Sequence, residues 1–160
     1  YYPFTLSPLF ATSDAATISA HHVVYALSLI AIAFIWGNSL LSKDASGAFS
    51  SAVETWLLRF FRLEKLPFDV RKLAHFCEYA ALGALSGATF AFARNHSASR
   101  LLNHALLGLL AAVIDESIQV LSGRGPLVTD IWIDAAGYWV GLLAALLLWR
   151  LLRRLRPKRA

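Results

Sequence analysis

Arg71-Lys72-Leu73-Ala74-His75-Phe76-Cys77-Glu78-Tyr79-Ala80-Ala81-Leu82-Gly83 opens an apolar segment that runs to about Ala93. About twenty apolar residues suffice to cross a bilayer core as a helix. Yet the start of this segment holds Arg71, Lys72, His75 and Glu78. Charge inside a membrane is costly and is tolerated where it faces a protein interior or a wet cavity, so it marks function by default. Spacings of four and three put Arg71, His75 and Glu78 on one helical face. Two further clusters share this character. Asp115-Glu116-x-x-Gln119 lies near the end of an apolar segment at about 101–121, and Asp130-x-x-x-Asp134 lies near the start of another at about 129–152. A fourth apolar segment, at about 21–41, precedes them. Threading four spans back and forth brings all three charged ends to the same side of the membrane.

The composition agrees. Of 160 residues, 58% are hydrophobic and mean hydropathy is +0.56, against roughly 45–50% apolar for soluble domains. The expected fold is all-α, a single membrane domain over residues 1–160, with four transmembrane helices and one interfacial helix. A lone cysteine, Cys77, excludes an internal disulfide framework and reads as a small apolar filler. Net charge is +5, concentrated in the tail Arg150-x-x-Arg153-Arg154-x-Arg156-x-Lys158-Arg159. A basic run beside a span suggests a cytoplasmic, lipid-facing terminus. Because the basic residues flank the membrane, nucleic acid is not an expected partner. The two sides otherwise balance closely: eight Lys and Arg in the tail and the 94–100 loop face seven in the 43–72 stretch and at Arg124. Orientation therefore rests on the density of the tail. The first nineteen residues lack the basic start of a signal peptide.

The longest connection, Lys43 to Val70, contains an amphipathic stretch at about 48–64. Phe49, Ala52, Val53, Trp56, Leu57, Phe60, Phe61 and Leu63 share one face, and Ser51, Glu54, Thr55, Arg59 and Arg62 the other. It is too polar to span. It suits a helix lying in the membrane interface, although periodicity alone equally allows one packed on the bundle. Pro67 ends it. Gly83 with Gly87, and Gly137 with Gly141, form two GxxxG pairs of the kind that let helices approach closely.

Three jobs suit the charge clusters. One is structural, with Arg71 or Lys72 pairing Glu116 or Asp134 to lock the bundle. Another is binding an amphiphile: Arg71, Lys72 and Arg124 would hold a phosphate or carboxylate, while His75, Glu78, Asp115, Glu116, Gln119, Asp130 and Asp134 line the pocket. The third is catalysis, with His75, Glu78, Glu116 and Asp134 as candidate acids and bases, possible carboxylate–histidine metal ligation, and a lipid-linked substrate. His75-x-x-Glu78 is a weak motif by itself, and no nucleophilic triad, P-loop or HExxH is present. The sequence alone assigns no metal and no cofactor. Mixed charge favours the second job. Ser117 reads as a helix-facing hydroxyl, and His96 and His104 as loop-flanking residues that need not bind anything.

At these residues the chain resembles the VanZ-like family of small bacterial membrane proteins. The resemblance rests on Arg71-Lys72-x-x-His75-x-x-Glu78-Tyr79, Asp115-Glu116-x-x-Gln119 followed by Gly123-Arg124, and Asp130-x-x-x-Asp134-x-x-Gly137 with Gly141. It covers about residues 35–150. Family members often have asparagine where Asp134 stands. The resemblance implies a multi-pass protein of the bacterial cytoplasmic membrane, linked to teicoplanin resistance. Its implied partners are membrane lipids, a lipid-linked peptidoglycan precursor or a lipoglycopeptide. It implies no particular reaction, so binding, catalytic and structural roles stay open.

Overall fold

The computed structural model describes the backbone of residues 8–41, 43–93, 95–123 and 127–155. Side chains are described from residue 20 onward within those ranges, apart from residues 43–46 and 49. Among these residues five helices follow one another: α1 (Pro8–Ser39), α2 (Lys43–Phe61), α3 (Val70–Phe92), α4 (Ala98–Leu121) and α5 (Val128–Leu155). No strand occurs among the described residues.

Local chemistry sets the boundaries. Asp69 caps α3, its carboxylate accepting from the Arg71 and Lys72 amides at 2.9 and 3.3 Å, which satisfies two of the donors a helix start leaves open. Ser97 caps α4 through the Arg100 amide. Gly123, at φ 78°, supplies the left-handed turn after α4 that glycine adopts without steric cost. These caps place α3 and α4 one to three residues earlier than hydropathy alone suggests. Helix α1 starts well before the expected span, and α2 occupies 43–61 rather than 48–64.

Among the described residues three segments are long and apolar enough to cross a membrane: Ala20–Ser39 of α1, all of α4 and all of α5. They mark the chain as a membrane protein. The fourth expected span, α3, does not join them on composition. Its 23 residues reach roughly 34 Å, but Arg71, Lys72, His75 and Glu78 and several small residues lower its apolar content. Its place in the fold comes instead from packing.

Helix α3 lies against α5 at backbone contact. A Cβ at Gly83 would collide with the Tyr138 carbonyl, one at Gly141 with the Ala80 carbonyl, and one at Gly137 with the Phe76 carbonyl. Both GxxxG pairs therefore meet across one seam, as small residues do where helices associate in lipid. Around the seam, Tyr79, Leu82, Phe90, Ala112, Tyr138 and Leu142 form a core that Ile35 of α1 joins. Elsewhere α1, α4 and α5 expose Leu29, Ile30, Phe34, Leu107, Leu110, Leu143 and Leu147, the surface expected of helices whose solvent is hydrocarbon.

Helix α2 behaves differently. Val53, Leu57 and Leu58 are half-buried, while Trp56, Phe60 and Phe61 are exposed. Trp56 and Phe60 stack at 5.3 Å, and Phe60 meets Phe61 edge to face. Most of the aromatic face thus has no cover among the described residues. At the far end of the bundle, His96 stacks on Trp149 at 4.9 Å, and Arg153 sits 5.0 Å over the same indole.

Two outcomes are expected. Gly141→Leu should destabilise the purified protein by about 3 kcal/mol, the upper end for overpacking because the obstruction is backbone, whereas Gly37→Ala, which meets nothing within 4 Å, should leave the thermal midpoint almost unchanged. In vesicles, a spin label at Phe60 should be more accessible to oxygen than to an aqueous nickel chelate, with the reverse at Ser51.

Candidate functional site

Four inter-helix contacts gather one end of the bundle. Arg71 of α3 donates from Nη2 to Gln119 Oε1 of α4 at 2.7 Å. Lys72 pairs with Asp130 of α5 at 3.3 Å. Asn38 of α1 donates to Glu78 Oε1 at 3.2 Å, and Ser122 bonds the Ser39 carbonyl at 3.0 Å. The end of α1, the start of α3, the end of α4 and the start of α5 therefore lie together. The charged ends expected to converge do lie together at one end of the bundle.

The charges sort by depth. At the rim, the Lys72 side chain is 41% exposed and that of Asp130 is 23% exposed. An ion pair this wet is worth little, typically under about 1 kcal/mol. Beneath it, Asp115, Glu116, Gln119 and Asp134 are buried. Gln119 bridges the two levels: it accepts from Arg71 and donates from Nε2 to Asp115 Oδ2 at 3.0 Å. Glu116 Oε1 accepts the Leu127 amide at 2.6 Å, tying the start of α5 to the end of α4. His75 Nδ1 stands 3.6 Å from Asp115 Oδ2 and 3.7 Å from Asp134 Oδ1. Both carboxylate oxygens of Asp134 are buried without a hydrogen-bond donor among the described residues.

A pocket of about 120 Å³ runs between these levels, lined by Asp69, Arg71, Lys72, His75, Gln119, Leu127, Asp130, Ile133 and Asp134. A larger groove of about 660 Å³ lies between α2 and the start of α3, lined in part by Ser51, Glu54 and Phe68. Asp69 and Arg71 border both, so Arg71 stands between an inner polar chamber and an outer groove under α2.

Most residues singled out from the sequence are brought together. Arg71, Lys72, His75, Gln119, Asp130 and Asp134 line the pocket; Asp115 and Glu116 lie behind its wall, and Glu78 turns toward α1. Arg124 falls outside the described residues. The expected direct pairing of Arg71 or Lys72 with Glu116 or Asp134 does not form: Arg71 takes a neutral amide, and Lys72 takes Asp130. Cys77 is exposed on α3 and fills no core gap. Ser117 bonds back to the Val113 carbonyl, as a helix-facing hydroxyl does.

Sequence reading missed a second polar cluster. Tyr138 Oη lies 2.6 Å from Ser86 Oγ and 2.8 Å from the His104 carbonyl, and Ser86 Oγ lies 2.8 Å from His104 Nδ1. Tyr79 bonds the Ala111 carbonyl at 3.1 Å, and Trp139 that of Ala105. His104 thus belongs inside the bundle, where it joins α3, α4 and α5. The available signal was the helical register of His104 within α4. Such interhelical bonds average roughly 0.6 kcal/mol in membranes.

A helical membrane bundle with a polar pocket at one end is the class that fold and site define. The sequence matches the family described as VanZ/LLP1 over residues 4–150, and the chain belongs to that family. The match takes in most of the N-terminal segment, where the quoted motifs carry no signal. No curated protein and no solved structure matches the chain.

Glu116→Ala should remove the tether on the Leu127 amide. Hydrogen exchange at residues 127–130 should accelerate by several-fold, since a side-chain hydrogen bond is worth about 0.5–1.5 kcal/mol net, while exchange in the middle of α5 stays slow.

Proposed function

We propose that this chain is a cell-envelope protein of the bacterial cytoplasmic membrane that holds the phosphate of an anionic lipid, or of a lipid-linked cell-wall intermediate, in the polar pocket. Helix α3 crosses the membrane with α1, α4 and α5, and α2 lies in the interface beside the pocket. The basic tail is cytoplasmic, which puts the pocket at the outer leaflet. By holding such a headgroup the protein contributes to glycopeptide resistance, teicoplanin being the drug that the VanZ resemblance implies.

One observation carries the reading: Arg71 and Lys72 line a small pocket, and Arg71 also borders the groove between α2 and the start of α3. A volume of about 120 Å³ is roughly four waters' worth, suited to a phosphate and too small for a whole amphiphile. Arg71 is bonded to a neutral amide rather than neutralised by a carboxylate, and a guanidinium can take two oxygens of an incoming phosphate. The apolar crevice beside Tyr25, Leu29, Ile32, Trp36, Leu107 and Leu110, about 270 Å³, offers an acyl chain a place along the bundle.

A second reading, a membrane hydrolase or transferase acting on the same lipid-linked substrate, is favoured by the position of His75 between two buried carboxylates. Turnover of a labelled lipid-linked substrate by the purified protein would establish it.

The binding reading is tested by lipid retention. Protein from phosphatidylglycerol nanodiscs should keep bound lipid in native mass spectra and keep far less from phosphatidylcholine. The Arg71→Ala/Lys72→Ala double variant should lose retention by about tenfold or more, the scale expected of one charge-assisted contact. Cells expressing it should lose any gain in teicoplanin tolerance given by the parent chain. Equal retention by parent and variant refutes the reading.

A further inference from the structure

The floor of the pocket has a chemistry that its rim does not explain. One ligand atom each from His75, Asp115 and Asp134 lies within 4.8 Å of the other two. The imidazole-to-carboxylate separations of 3.6 and 3.7 Å are too long for charge-assisted hydrogen bonds, which run about 2.7–2.9 Å. They sit close to the spacing of ligands around a shared cation: bonds of about 2.0–2.1 Å in a tetrahedron hold ligand atoms roughly 3.3–3.5 Å apart.

Asp134 supplies the independent observation. It is 1% exposed, and neither of its oxygens accepts a hydrogen bond from the described residues. Buried carboxylates ordinarily have donors or a cation, because desolvation otherwise costs several kcal/mol. The two buried carboxylates nearby each have one oxygen taken: Gln119 donates to Asp115 Oδ2, and the Leu127 amide to Glu116 Oε1. Among the described residues Asp134 is the buried carboxylate with neither oxygen taken, and its Oδ1 lies 3.7 Å from His75 Nδ1. The pocket runs from the rim down to His75 and Asp134, which gives an ion a way in.

We infer that His75, Asp115 and Asp134 form a binding site for a first-row divalent cation. One imidazole and two carboxylates suit Zn²⁺ or Mn²⁺. Gln119 would fix the Asp115 carboxylate from behind, as outer-shell partners do at metal sites. The cation also changes what the pocket admits. Asp69, Asp130 and Asp134 all line it, and an entering phosphate meets their negative charge. A divalent ion on the floor reverses the sign there and offers a phosphate oxygen a direct ligand, with Arg71 and Lys72 on the remaining oxygens. This last step rests on the phosphate-binding reading above; the cation site itself does not.

The test uses the full chain in detergent, stripped with chelator and titrated with Mn²⁺ alone while free Mn²⁺ is read by paramagnetic resonance; Zn²⁺ content is measured separately by elemental analysis. Saturation near one ion per chain is expected, with Cys77→Ser binding like the parent. Asp134→Asn and His75→Gln should each weaken binding by about tenfold or more. Because His75 lies at the wetter side of the site, His75→Gln keeps the test decisive if Asp134→Asn folds poorly. No saturable binding by the parent, or unchanged binding by folded variants, overturns the site. In a second arm, chelation should release phosphatidylglycerol from the parent. If the ion binds but lipid retention ignores chelation, the ion-to-phosphate contact is overturned while the cation site stands.

Discussion

The close approach of α3 and α5 is the constraint on which the rest of the structure depends. Gly83, Gly137 and Gly141 let carbonyls of one helix sit where a side chain would otherwise stand on the other. In lipid there is little hydrophobic drive between helices, so packing of this kind supplies much of the association. The contact also fixes rotation and register. Gly137 rests on the Phe76 carbonyl, and one turn earlier on α5 this brings Asp134 level with His75. Helix α4 then closes the third side, with Asp115 and Gln119 facing inward. The polar site is a consequence of a glycine seam that contains no polar side chain.

Two polar regions built on that seam differ in character. Around Tyr138, Ser86 and His104 the groups satisfy one another, and their role is to join three helices. At the charged end the rim is paired but wet, and the floor holds a buried carboxylate with no donor among the described residues. A low-dielectric interior magnifies both situations: it strengthens a completed network and raises the cost of an incomplete one. An incomplete network beneath a pocket mouth is what a site for a charged guest looks like before the guest is considered. The family assignment places this arrangement in VanZ/LLP1 without choosing a reaction.

Much of this was legible in the chain. Hydropathy located the apolar helices, and the 3.6-residue period put Arg71, His75 and Glu78 near one another. Only the α3 composition resisted: its charges and small residues make it the least apolar of the helices expected to cross, though it is central to the packing. The Ser97 and Asp69 caps could have been read from their positions before apolar runs. For the Tyr138–Ser86–His104 cluster only the register of His104 within α4 was a signal; the meeting of the three depends on three helix rotations at once.

By itself the sequence determined which segments are helical and apolar and, through the alternation of their directions, that the charged ends share one side. Those properties depend on side-chain type and period, which are local. Tertiary structure decided which charges meet. Arg71 went to Gln119 and Lys72 to Asp130, leaving His75 between Asp115 and Asp134. Partner choice turns on ångström differences in helix separation and on rotation about each axis. The glycine contacts set both: the GxxxG spacing shows in the sequence, but which helix each pair meets, and in what register, does not.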